Sequence, residues 1–299
     1  MWSVPRRSLC FIALGLGVLL GPAPGAGAAV PEARPRAIAS LDYCADQYVL
    51  ALAARDDILA LSPAADDRYS YFASRASGIA KMRPTTERLL MAAPDLVVRQ
   101  WGGGLAAGET LGRFGIPVAQ VKFGQTLADA RDNLRAVARR MGREEEAARL
   151  LADLDRRLAR IRATRPETDH PIRALYVTVS GATSGRGTFI HEAMEAAGLE
   201  NVMAGGARAG WQLIDLERVA LNPPDLIIGA FFDLGRQTVD HWSIGRHSFL
   251  RDLVAKAEFV PIPGRVVACS TWFVIDAVEM IHDAALRIAR RRAGAGDAP

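Results

Sequence analysis

Cysteine is scarce: three in 299 residues, one of them, Cys10, inside a leader-like stretch. Cys44 and Cys269 alone make neither a disulfide framework nor a cysteine-rich metal site. His170, His191, His241, His247 and His282 are scattered, with no His-x-x-x-His pair, which argues against a bare-metal centre built of protein ligands. His241, within Asp240-His241-Trp242, is the best placed for a ligand-facing role. The Gly-Lys-Ser ending of a phosphate loop, a dinucleotide glycine fingerprint and a Gly-x-Ser-x-Gly elbow are all missing; SGATSGRG only resembles a phosphate loop. No catalytic residues are expected. The net charge of +4 is small, and much of the basic excess sits in Arg6, Arg7 and the run Arg287, Arg290, Arg291 and Arg292. That pattern suits a solvated helix end and excludes a nucleic-acid surface as the main theme.

Long apolar runs are also lacking. The run LCFIALGLGVLL after Arg6 and Arg7 falls short of the ~20 residues that span a bilayer. Followed by Ala26-Gly27-Ala28, it reads as a signal peptide over residues 1–28, by the general or the twin-arginine route, and so predicts a periplasmic protein. The remaining 271 residues, in a chain that is 50% hydrophobic and 23% charged, suit one large or two ordinary globular domains.

What is present is a β/α alternation. RAIASL, ILALSP, DLVVRQW and PVAQVKF read as strands, separated by the helices DQYVLALAA, TERLLMAA and AGETLGRFG. Residues 127–165 break the pattern, with two helical segments divided by Gly142, and Ala147, Leu150, Leu151, Leu154, Leu158 and Ile161 forming one apolar stripe. Alternation then resumes with RALYVTV, FIHEAMEAAG, LERVAL, DLIIGAFF, SFLRDLVA, RVVACS as the final strand, and a helix from Val274 to Arg292. The fold class predicted is α/β: an N-terminal lobe over 29–126, a connecting helical segment over 127–165 and a C-terminal lobe over 166–299. Each lobe carries a mostly parallel sheet flanked by helices. One long backbone helix joins them, and a ligand cleft lies between.

The two lobes share a repeat. TERLLMAAPDLVV from Thr86 and LERVALNPPDLII from Leu216 align without a gap at an offset of 130 residues. With TSGRGTFIHEAMEAAGLENVM and Trp272-Phe273, these segments resemble the helical-backbone periplasmic substrate-binding proteins of ABC importers, the ferric siderophore, haem and cobalamin receptors, and most of all the cobalamin branch. The resemblance covers nearly the whole chain after residue 28. It implies no resident cofactor, a metal chelate as ligand, and an ABC permease dimer with its ATPase as partner to a monomer. It also implies that Glu87 and Glu217, one per lobe, dock on that permease. The bland alternative for both is a carboxylate stabilising a helix start.

Ligand contacts are expected where strands end. In the first lobe these are Tyr43, Cys44, Arg68, Tyr69, Tyr71 and Trp101; in the second, Thr183, Ser184, Arg186, Trp211, Phe231, Phe232 and Trp272. Flat rings beside Arg68, Arg186, Lys81, Arg83 or Arg99 suit a large chelate with apolar faces and an anionic edge. Cobalamin, a ferric siderophore and haem all answer that description. For Cys44 and Cys269 three readings stand: two buried thiols, a bridge between lobes, or a ligand-facing pair. A cell-envelope enzyme or scaffold is the rival class.

Overall fold

The computed structural model describes residues 34–205, 209–231, 253 and 256–296. The expected signal peptide, Phe232, His241, His247 and most of SFLRDLVA lie outside the described residues.

The first sheet is built from β1 (Ile38–Ser40), β2 (Ile58–Ala60), β3 (Leu96–Arg99) and β4 (Val118–Gln120), in the order β2-β1-β3-β4, all parallel. Helices α1 (Tyr43–Leu52), α2 (Thr86–Ala92) and α3 (Ala107–Arg113) make the crossovers. The second sheet holds β5 (Ile172–Thr178), β7 (Leu199–Asn201), β9 (Leu226–Ala230) and β10 (Glu258–Ile262), in the order β10-β9-β5-β7, again parallel. Helices α6 (Phe189–Ala196) and α7 (Leu216–Leu221) pack beside it, and a small antiparallel pair, β6 (Ala182–Ser184) with β8 (Trp211–Leu213), stands at its edge. β1, β3 and β9 are buried along their whole length, as parallel strands covered on both faces must be.

Read from the opposite edge, the second sheet has the order of the first: β7, β5, β9, β10 stand where β2, β1, β3, β4 stand. The repeat supplies the same part to both. Thr85 caps α2 and Asp215 caps α7, each side chain accepting from a backbone N–H three residues on. The aspartate of each Pro-Asp-Leu then seats the neighbouring strand. Asp95 accepts the backbone N–H of Arg36 and Ala37 at the start of β1, and Asp225 accepts that of Arg173 in β5.

Between the sheets run α4 (Leu127–Met141) and α5 (Glu144–Ala163). Thr126 and Asp129 form a capping box at the start of α4, and Gly142, at φ 61°, ends it in the left-handed conformation. The chain then doubles back, so that Arg131 of α4 pairs with Asp155 of α5 at 2.5 Å. The connection is therefore an antiparallel hairpin. Its second arm, α5, is about 30 Å long, with Ala147, Leu151, Leu154, Leu158 and Ile161 buried.

RVVACS is not the last strand: Gly264–Val267 is a short helix, α8, and the last strand is β10, which contains Pro261. β10 is a sheet edge, where a proline costs no ladder bond. A 3-10 turn over Trp272–Val274 then leads into the long helix α9 (Ile275–Gly296).

Candidate functional site

Four loops leave the carboxyl ends of the first sheet, and each carries an aromatic ring. Tyr43 follows β1, Tyr69 lies in the loop after β2, Trp101 follows β3 and Phe123 follows β4. Trp101 and Phe123 lie 6.3 Å apart and nearly parallel, Trp101 meets Tyr43 edge-on at 5.0 Å, and Tyr43 is 6.0 Å from Tyr69. The row reaches the second lobe, because Phe231 at the end of β9 lies 6.3 Å from Tyr69. Phe231 has φ 65°, a conformation a phenylalanine adopts at a cost of about 1–3 kcal/mol. Trp101 and Phe123 are 38% and 71% exposed. The five rings make an open apolar ledge from one sheet to the other, with the Arg68 guanidinium 5.8 Å above the Tyr69 ring. Burial, followed by the nearby Tyr69, Asp42 and Asp67, raises the Tyr43 phenol above its usual range.

The Trp101 loop is held from both polarities. The buried Asp42 carboxylate accepts the backbone N–H of Gln100, Trp101 and Gly102 at 2.7, 3.1 and 3.0 Å, and that of Ala45 at 2.9 Å, where it caps α1. Arg99, equally buried, donates to the carbonyls of Gly102 and Gly104 at 2.8 and 2.7 Å and to Gln120 at 2.9 Å. A side chain at position 102 would stand 2.2 Å from the Leu41 carbonyl oxygen, so only glycine fits there. Tyr43 and Trp101 are thus registered to each other through one carboxylate.

Below the ledge the lobes are tied together. Cys44 of α1 and Cys269, just after α8, form a disulfide with Cα atoms 5.7 Å apart. Tyr71 stacks on Phe273 at 4.1 Å and donates to Asp276 of α9 at 2.5 Å; burial, then Asp276, pushes its pKa up to about 12. Arg157 of α5 bridges Asp276 and Glu279 at 2.6 and 2.5 Å. Glu192 of α6 accepts the N–H of Leu127 at the start of α4.

Of the residues expected at the ligand, Tyr43, Tyr69, Trp101 and Phe231 come together, with Arg68 beside them. Trp211 is 43% exposed on β8 and touches Tyr176 and Phe189, and Arg186 is exposed on the loop after β6. Other residues expected at the ligand stand elsewhere. Cys44 is buried and spent in the disulfide, so it faces no ligand. Trp272 is 4% exposed and packs edge-on against Tyr48, because the 3-10 turn drives it into the lobe junction. Thr183 and Ser184 are fully buried; the Thr183 hydroxyl donates to the Tyr176 carbonyl and the Ser184 hydroxyl bonds to Thr188. Arg99 spends its guanidinium on the Trp101 loop. Tyr71 belongs to the junction instead of the ledge, and Lys81 pairs with Asp66. Phe123 was not anticipated. PVAQVKF reads as strand to its end, but β4 stops at Gln120, and the Gly124 that follows marks the turn. Among the described residues no cluster of His, Cys, Asp or Glu could hold a metal ion.

A family model described as "Periplasmic binding protein" matches residues 38–240. No curated protein matches the chain in sequence. Among solved structures, the periplasmic heme-binding protein RhuT from Roseiflexus sp. RS-1 superposes with a TM-score of 0.66 at 18% identity, over 85% of this chain and 99% of that one. The vitamin B12 binding protein BtuF of Vibrio cholerae gives 0.60 at 20% identity, over 86% and 98%. An ABC-type Fe3+-hydroxamate transport system structure from Saccharomonospora viridis DSM 43017 gives 0.59 at 20% identity, over 84% and 93%. These likenesses are of fold, while the sequence match takes in the first sheet and β5, β7 and β9 of the second. The chain belongs to the periplasmic binding protein family and is a binding protein, not an enzyme.

Proposed function

We propose that this protein captures a chelated metal compound, cobalamin or a ferric siderophore, in the periplasm and delivers it to the permease dimer of an ABC importer. The observation that carries this reading is the ledge of five rings at the carboxyl ends of both sheets, wide and apolar, with Arg68 at its side. Rings offer large contact area at little conformational cost, which suits a bulky rigid chelate. Solved relatives named for heme, vitamin B12 and Fe3+-hydroxamate support the same ligand class. Haem is the second reading, favoured by the adjacent phenols of Tyr43 and Tyr69, since tyrosine oxygen is a known ligand of haem iron.

Delivery requires each lobe to meet one half of the permease. Glu87 and Glu217 are exposed at the same step of the repeat, in the first turn of α2 and α7. Export through a signal peptide over 1–28 and action as a monomer complete the reading; among the described residues no helix is long and apolar enough to cross a membrane. Tryptophan fluorescence of the purified protein, titrated with vitamin B12, haemin and a ferric hydroxamate, tests it. Saturable quenching by one, with micromolar to nanomolar affinity or about 8–12 kcal/mol, is the expected result. No binding of any of the three overturns the ligand class.

A further inference from the structure

The repeat carries more than its glutamates. Four residues after Glu87 stands Met91, 81% exposed at the last turn of α2. Four residues after Glu217 stands Leu221, 76% exposed at the last turn of α7. The pairs occupy identical steps of the 130-residue repeat. Residues four apart lie on one helix face about 6 Å from each other, so each helix shows solvent a carboxylate followed by a large apolar side chain. Leu89 and Val219, also equivalent, are 1% and 0% exposed and anchor the opposite faces in their cores.

A single exposed leucine or methionine needs no explanation. The same exposure twice, beside the same carboxylate, on two lobes of equal strand order, calls for a partner that presents one surface twice. We propose that Met91 and Leu221 are apolar docking knobs that enter two equivalent apolar sockets on a two-fold symmetric partner, each socket flanked by a cation that meets Glu87 or Glu217. This rests on the permease-docking reading and adds to it a second, uncharged half of the contact. Position in the fold links docking to the ligand: the Pro84 carbonyl, just before α2, lies 3.7 Å from where a Cβ at Gly103 in the Trp101 loop would stand.

The test compares two double variants in the native bacterium, Met91→Ser with Leu221→Ser and Glu87→Arg with Glu217→Arg. It measures uptake of whichever radiolabelled probe, vitamin B12, haemin or ferric hydroxamate, the purified protein binds. Losing an apolar side chain from a buried contact weakens association about tenfold or more, so uptake at limiting protein should fall by at least that factor in the serine variant with probe affinity unchanged. A photoreactive benzophenone residue placed at 91 or 221 should crosslink, from either position, to the same multi-spanning membrane protein, and one at Arg149 should not. Uptake lost in the arginine variant but normal in the serine variant overturns the knobs and leaves docking standing. Normal uptake in both overturns docking and knobs together. Crosslinks to two different proteins, to this chain itself, or to nothing overturn the symmetric partner.

Discussion

The disulfide between Cys44 and Cys269 joins α1 of the first lobe to the segment before α9, across 225 residues of sequence. Replacing both cysteines by alanine removes the longest loop closure the described chain makes. The chain-entropy relation for such a loop gives about 5 kcal/mol at 25 °C, an upper bound because the unfolded chain keeps residual structure. The native contacts around the bridge survive the change: Tyr48 on Trp272 at 5.2 Å, Tyr71 bonded to Asp276, and Arg157 on Asp276 and Glu279. The variant should therefore fold to the same structure and unfold at lower urea. Equilibrium unfolding by tryptophan fluorescence, with wild type measured in parallel under oxidising and reducing conditions, should show a loss of roughly 2–5 kcal/mol in the variant and in reduced wild type. Superimposable curves would refute the reasoning, as would two free thiols per chain in unfolded, unreduced wild type.

Asp42→Asn leaves one acceptor oxygen where there were two and removes the charge, so its amide NH2 must face either the N–H groups of Gln100, Trp101 and Gly102 or that of Ala45. Stability should fall by about 2–3 kcal/mol in thermal denaturation, and affinity for the bound chelate should fall with it; unchanged affinity would show that the Trp101 loop holds itself. Asp46 is fully buried beside Ser62, and burial, against the Ser62 hydrogen bonds, pushes its pKa up to about 6. The folded state thus keeps a proton that the unfolded state releases near pH 4. Stability from this group is complete below about pH 4, is lost as pH rises to about 6, and the loss amounts to about 3 kcal/mol. Asp46→Asn should flatten the stability profile between those pH values, and a profile identical to wild type would refute the assignment.

The fold was legible because repeated units announce themselves. Pro-Asp-Leu at Pro94 and Pro224 marks the same helix-to-strand passage twice, and Gly142 sits where α4 must turn back. Antiparallel return along α4 was not legible, since an apolar stripe shows that a helix packs but not against what. RVVACS has the β-branched look of a strand, yet EFVPI takes that place because an edge strand tolerates Pro261. Strand ends point to Tyr43, Tyr69, Trp101 and Phe231, and the structure brings these four rings together. Strand ends do not reveal that a 3-10 turn buries Trp272, or that β4 ends at Gln120 and leaves Phe123 beside Trp101. Nothing in the sequence around Asp42 singles it out. Its hold on residues 100–102 spans about 60 positions, and no local pattern encodes that. Two cysteines 225 residues apart carry no spacing signal either, so only the packed lobes pair them.

The central claim is that a metal chelate rests on the aromatic ledge. Affinity for the chelate found in the titration, compared between wild type and Trp101→Ala by calorimetry, tests it most directly. Trp101 is partly exposed and its backbone is held by Asp42, so the variant should keep its melting temperature to within a few degrees and bind about tenfold or more weakly. Equal affinity in the two proteins would place the ligand elsewhere and contradict the claim.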